Sequence, residues 1–185
     1  MKKWHIVISG FMQSAGKPNG MVALWQKLHA EHAAPGTSVI LRSWNDNFWD
    51  LAELIWRLRG PHNGTNVKVY GYSWGGMSAV ILARLLGDRG IKIKEMVLSD
   101  PVYRHRYWLG QWRAFAPWSK IYIPPNVLNV TWLRQVKNLP RSHCLVADNP
   151  SETHISMPRT LSRTHQYMDD AGVFHAAALA ASRLL

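Results

Sequence analysis

The chain has 185 residues, 47% hydrophobic and 18% charged, which suits one domain with a core of its own and excludes a disordered composition. One cysteine, Cys144, excludes an intrachain disulfide and a cysteine-rich zinc site, as expected in a reducing compartment. The net charge of +11 is concentrated: between Asp100 and Asp148 there is no acidic residue, while Arg104, Arg106, Arg113, Lys120, Arg134, Lys137 and Arg141 all fall there. Such a surface suits an anionic substrate, an anionic membrane or polymer, or solvent alone.

Trp4 to Ile8 reads as a buried strand ending in Ser9-Gly10, and Phe11 to Gly20 as a turn-rich loop. Lys2 and Lys3 precede only a short apolar run with no small-residue cleavage site after it, so no signal peptide is evident and a cytoplasmic location is expected. No stretch approaches the 18 apolar residues of a membrane span. Met21, Leu24, Trp25 and Leu28 have helical spacing over Met21 to His32, with Pro35-Gly36 as the stop. Ser38 to Arg42 is the second strand. Asp46 or Asn47 then caps a helix from Phe48 to Arg59 that ends at Gly60-Pro61, with a turn at His62-Asn63-Gly64.

Val67 to Tyr70 is a short apolar strand, and Met77 to Leu86 a helix. Between them stands Gly71-Tyr72-Ser73-Trp74-Gly75-Gly76, the G-x-S-x-G pattern of a nucleophile elbow. A Cβ at either flanking glycine would collide with the strand or the helix, and the tight turn pushes the Ser73 hydroxyl above the sheet edge. Glu95 to Ser99 is the fourth strand and delivers Asp100. Residues 101–126 then form an aromatic, basic insertion with Tyr103, Tyr107, Trp108, Trp112, Phe115 and Trp118. Trp108, Trp112 and Phe115 have helical spacing, as expected either of a cap over a substrate pocket or of a helix packing its tryptophans into the core. Val127 to Gln135 and His143 to Ala147 read as the fifth and sixth strands. The loop from Asp148 presents His154, and helices are predicted from Pro158 to Asp169 and from Val173 to Leu185. Strands alternating with helices predict a single α/β domain over 1–185, with a mostly parallel six-stranded sheet and helices on both faces.

A serine needs a base within hydrogen-bond reach, and the base needs a third group that fixes its tautomer. Of the nine histidines, His154 follows the last strand in a turn-rich loop and is the expected base. His143 starts a strand, on the wrong sheet edge, and His165 and His175 fall in predicted helices; His105 lies in the aromatic insertion. Asp100 gives the chain order Ser…Asp…His and is preferred as the acid over Asp148, which suits a turn role. The amide of Trp74, with that of Phe11 or Met12, is expected to form the oxyanion hole. Trp108, Trp112 and Phe115 are expected to line the substrate pocket.

Ser9-Gly10-Phe11, Gly71 to Gly76, Ser99-Asp100-Pro101 and Thr153-His154-Ile155-Ser156-Met157 together resemble the α/β-hydrolase superfamily in a compact lipase- or esterase-like form. The resemblance implies Ser73 as nucleophile, His154 as base and hydrolysis of an ester, with thioester hydrolysis or acyl transfer open to the same parts. It departs from the usual pattern in the loop from Leu133 to Asn138, which has no carboxylate, and in Ser9-Gly10, which replaces a His-Gly start. The expected partner is a small or lipid-like ester, with no cofactor and no metal; a non-catalytic protein binding an anionic polymer or membrane is the alternative. Nucleic acid ranks behind both, since no nucleic-acid fold motif accompanies the basic aromatics.

Overall fold

The structure is a computed structural model that describes residues 2–13, 17–59, 64–105, 108–116 and 118–184, with the backbone alone for 108–111. Its order is β1 (Lys2–Ile8), α1 (Gly20–His32), β2 (Thr37–Arg42), α2 (Phe48–Arg57), β3 (Thr65–Tyr72), α3 (Trp74–Gly87), β4 (Ile93–Ser99), a 3₁₀ helix (Trp108–Phe115), β5 (Lys120–Ile123), β6 (Val127–Gln135), β7 (Cys144–Ala147), β8 (His154–Ile155), β9 (Arg159–Leu161), a 3₁₀ turn (His165–Tyr167) and α4 (Gly172–Arg183). The expected helix stop at Gly60-Pro61 and turn at His62-Asn63 lie outside the described residues, as do Tyr107 and the side chain of Trp108.

The main sheet runs β2-β1-β3-β4-β6-β8, with β9 also on β6, and every pairing is parallel. It holds seven strands where six were expected. The sixth predicted strand, β7, lies outside this sheet and pairs with β5 in a separate two-stranded one. Strand pleating sends alternate residues to opposite faces. Trp4, Ile6 and Ile8 of β1 meet Leu51 and Ile55 of α2 and Leu82 and Leu86 of α3. Val7, between them, faces Met21, Leu24 and Leu28 of α1 and Phe174 and Ala178 of α4.

Local chemistry sets the helix starts. Asn19 Oδ1 accepts the amides of Met21 and Val22, and Asn47 Oδ1 those of Trp49 and Asp50, satisfying donors that no earlier turn can reach. The helix predicted from Pro158 to Asp169 does not form. Leu161, His165 and Met168 do turn inward, and their i, i+4, i+7 spacing imitates a helix. However, Thr160, Ser162 and Thr164 bring β-branching and competing hydroxyls, which favour extended and turn backbone. Among the described residues no helix is long and apolar enough to cross a membrane.

Four histidines are held neutral by the fold. Burial pushes His5 down to about 3, aided by nearby His32, Lys68 and Lys3, and burial is also the leading cause of lowered values at His32, His143 and His175. The native state therefore resists protons that the unfolded chain takes up near pH 6.5. Their contribution to stability is complete above about pH 6.5 and is lost as the pH falls toward the lower native values, by at most about 1.4 kcal/mol per pH unit for each histidine. Urea unfolding should give a midpoint that is level from pH 8 to 7 and falls steadily from pH 6.5 to 4. In His5→Gln that fall should be shallower; an unaltered slope would mean that His5 carries a proton in the folded state.

Candidate active site

Ser73 sits between β3 and α3 at φ 54°, ψ −124°, a left-handed conformation that a side chain adopts only when its surroundings impose it. Its amide donates to the Ser99 carbonyl, and its carbonyl accepts from Gly76 and Val102, so the end of β4 holds the turn closed. The two flanking glycines are sterically required. A Cβ on Gly71 would stand 2.9 Å from the Gly75 oxygen, and one on Gly75 only 2.4 Å from the Ile8 oxygen. Among the described residues only Met12, Ser73 and Asp100 have positive φ without being glycine, and all three belong to this region. Each such conformation costs about 1–2 kcal/mol, and the concentration of three in one place marks a functional constraint.

Asp100 is fully buried directly after β4. Its amide donates to the Leu133 carbonyl, and its Oδ1 accepts the Gln135 amide at 3.0 Å, so the end of β6 seats it from both sides. Its Oδ2 lies 2.6 Å from His165 Nδ1, and His165 Nε2 lies 2.8 Å from Ser73 Oγ. Both carboxylate oxygens act as acceptors, which puts the imidazole proton on Nδ1 and leaves Nε2 to accept from the serine hydroxyl.

The base expected from sequence was His154, and the structure does not bring it to Ser73. His154 is exposed on β8, where it pairs with Asn129; Asn129 pairs with Glu95, and Glu95 with Lys68. That register puts His154 level with Lys68, five residues before Ser73, or roughly 16 Å back along the strands. β9 instead pairs with Leu133 to Gln135, level with Ser99, so the turn after it arrives at the serine's edge of the sheet. Asp148, the alternative acid, pairs with Arg84 at 3.0 Å at the end of β7.

Several residues that sequence reasoning passed over hold the imidazole. Tyr72 donates its hydroxyl to the His165 carbonyl at 2.8 Å, and its ring stacks on the imidazole with centroids 5.2 Å apart. Burial pushes the Tyr72 phenol well above its ordinary value, keeping it a donor. Asn138 Oδ1 accepts the His165 amide at 2.7 Å. Gln135 in turn shapes the Asn138 loop: its Nε2 donates to the carbonyls of Asn138 and Pro140, and its Oε1 accepts the amides of Lys137 and Asn138. A buried glutamine at a strand end was the available signal, since a buried amide requires partners.

The loop after β1 closes the other side. Gln13 Oε1 accepts the Gly10 amide, and Gln13 Nε2 donates to Asp169 Oδ2, which also accepts the Gly20 amide. Phe11 packs on Trp74 at 4.6 Å between centroids and on Trp44 at 5.6 Å. Phe11 and Met12 thus stand beside Trp74, whose amide opens α3 and has no preceding turn to receive it. Ser73 and His165 open into a mainly apolar cavity of about 520 Å³. Trp112 and Phe115, both expected in the pocket, line it together with Phe11 and Met12. Trp112, Phe115 and Trp118 are each more than half exposed, so these rings of the insertion are not core packing. Among the described residues no cluster of histidine, cysteine or carboxylate side chains could hold a metal ion.

A family model described as the alpha/beta hydrolase fold matches residues 12–170. The chain belongs to the α/β-hydrolase fold family. Solved structures with a similar course include the Vlm2 thioesterase domain bound with a dodecadepsipeptide (14% identity, 99% of this chain and 93% of that one, TM-score 0.48). The NocB thioesterase domain from the nocardicin cluster is similar too (12%, 98% and 94%, TM-score 0.48), as is YbtT, a type II thioesterase from the yersiniabactin pathway (12%, 97% and 92%, TM-score 0.47). No curated protein matches the sequence. Within this α/β-hydrolase the acid candidate follows β4, and the end of β6, which lacks a carboxylate, supplies its supporting hydrogen bonds instead.

Proposed function

We propose that the protein is a serine hydrolase that cleaves a carboxylic ester or thioester through an acyl-enzyme. One observation carries this: the unbroken hydrogen-bonded run from Ser73 Oγ through His165 to Asp100, opening on an apolar cavity. Ser73 Oγ attacks the substrate carbonyl carbon while its proton passes to His165 Nε2. Asp100 keeps the imidazole in the tautomer that can accept, and stabilises it once protonated. The oxyanion receives the amide of Trp74 and that of Phe11 or Met12. On collapse the leaving alcohol or thiol takes the proton from Nε2. Water then attacks the acyl-serine, giving its proton to Nε2, and Ser73 regains that proton as the acid departs. The apolar walls at Phe11, Met12, Trp112 and Phe115 favour an apolar acyl group.

A fluorophosphonate probe tests this. It should label the protein stoichiometrically, and the label should disappear in Ser73→Ala. An unlabelled protein, or a label that persists in Ser73→Ala, would overturn the proposal.

A further inference from the structure

The insertion between β4 and β5 has two sides. Trp112, Ala114 and Phe115 of its 3₁₀ helix line the cavity at Ser73. Arg113, between them, turns to a second cavity of about 410 Å³, formed with Tyr103, Trp118, Ser119, Lys120 and Tyr122. The pleat of β5 explains the last of these: Ile121 and Ile123 are buried in the core, so Lys120 and Tyr122 face outward together. The first cavity is apolar; the second carries two cations, two phenols and an indole.

Arg113 joins the two. Its guanidinium stands 5.9 Å from the centre of the Trp112 ring, which belongs to the first cavity, and 5.8 Å from that of Tyr103, which belongs to the second. Its main chain is anchored. The Arg113 carbonyl accepts the Ala116 amide and the Ser119 hydroxyl, and the Ala116 carbonyl accepts from His143 Nε2, a buried ring whose Nδ1 accepts the Tyr103 amide. Among the described residues neither Arg113 nor Lys120 forms an ion pair. Asp148, directly after β7, the strand beside β5, is engaged by Arg84, which also donates to the Tyr122 carbonyl. The two cations therefore face a cavity with no carboxylate among the described residues of its lining.

We propose that this second cavity seats a phosphate group carried by the leaving alcohol or thiol of the substrate. The natural substrate is then an apolar acyl group joined to a phosphorylated carrier arm that crosses the insertion beside Arg113. This rests on the hydrolase proposal for the role of the first cavity. A phosphate at Arg113 and Lys120 makes charge-assisted hydrogen bonds, and the exposed Trp118 and Tyr122 rings offer faces for the arm. The same contacts give the basic insertion a use that the ester chemistry at Ser73 does not require.

The test uses two octanoyl esters with the same leaving alcohol, one ending in a phosphate monoester and the other in the free hydroxyl. For the wild type the ratio of kcat/KM, phosphate over hydroxyl, should be roughly tenfold or more, expressed mainly in KM and reduced by 0.5 M NaCl. In Arg113→Ala/Lys120→Ala that ratio should fall to within about twofold of one. A ratio near one in the wild type, or a preference that survives in the double variant, would overturn the proposal. Calorimetry with the phosphorylated alcohol alone reads the second cavity without turnover: it should bind the wild type roughly tenfold or more tightly than the double variant. Equal binding to both proteins also overturns the proposal. Selective binding with no fluorophosphonate label on Ser73 leaves the anion site standing and removes the hydrolase proposal instead.

Discussion

Replacing His165 by alanine should lower ester turnover roughly a thousandfold or more, whereas His154→Ala should leave it within about twofold of wild type. The contrast follows from position along the sheet. His165 Nε2 is 2.8 Å from Ser73 Oγ, while His154 lies on a two-residue strand in register with Lys68. Without the imidazole the serine keeps its proton and is a poor nucleophile near neutral pH. Steady-state kinetics should place the loss in kcat rather than KM, and the rate of fluorophosphonate labelling should fall in parallel. The imidazole also fills space under the Tyr72 ring, so the variant's unfolding midpoint should be measured alongside. A large loss in His154→Ala with little in His165→Ala would reverse the assignment.

Asp100→Asn should cost about a thousandfold to ten-thousandfold in kcat while the protein stays folded. Asparagine tolerates the left-handed φ of 46° at this position, so the backbone need not move. The Gln135 amide requires an acceptor, so the asparagine oxygen must take the place of Oδ1. That turns the NH₂ group toward His165 Nδ1. The ring must then accept at Nδ1 and carry its proton on Nε2, facing Ser73, the tautomer that cannot act as a base. Asp148→Asn removes only a partly exposed pair with Arg84, worth about 0–1 kcal/mol, and turnover should be unchanged. If the Asp148 change were the damaging one, the acid would lie at the end of β7.

Much of this site was legible without coordinates because it rests on local chemistry. Gly71, Ser73 and Gly75 mark a turn that no other spelling closes as well, since a Cβ at either glycine strikes backbone. Asp100 stands between an apolar strand and Pro101, and the loop at Ser9-Gly10 follows the first strand. The caps at Asn19 and Asn47 depend on neighbours two and three residues away. Each signal lies within a few residues of its consequence, so the sequence could carry it.

The histidine is of another kind. β8 has two residues and β9 three, too few for any period to show, and both pair with β6. What separates the two histidines is where β8 and β9 pair along β6: β8 sets His154 against Asn129, whereas β9 pairs with Leu133 to Gln135 and the turn after it carries His165. Likewise β7 reads as a sheet strand but pairs with β5, because partner choice depends on long-range contact and not on the strand's own residues. From the sequence alone came Ser73 and Asp100 as candidates, the glycine turns and the α/β class, all resting on signals local in the chain. Only the tertiary structure brought His165 rather than His154 beside Ser73 and gave the basic insertion two faces, because both depend on contacts between segments far apart in the chain.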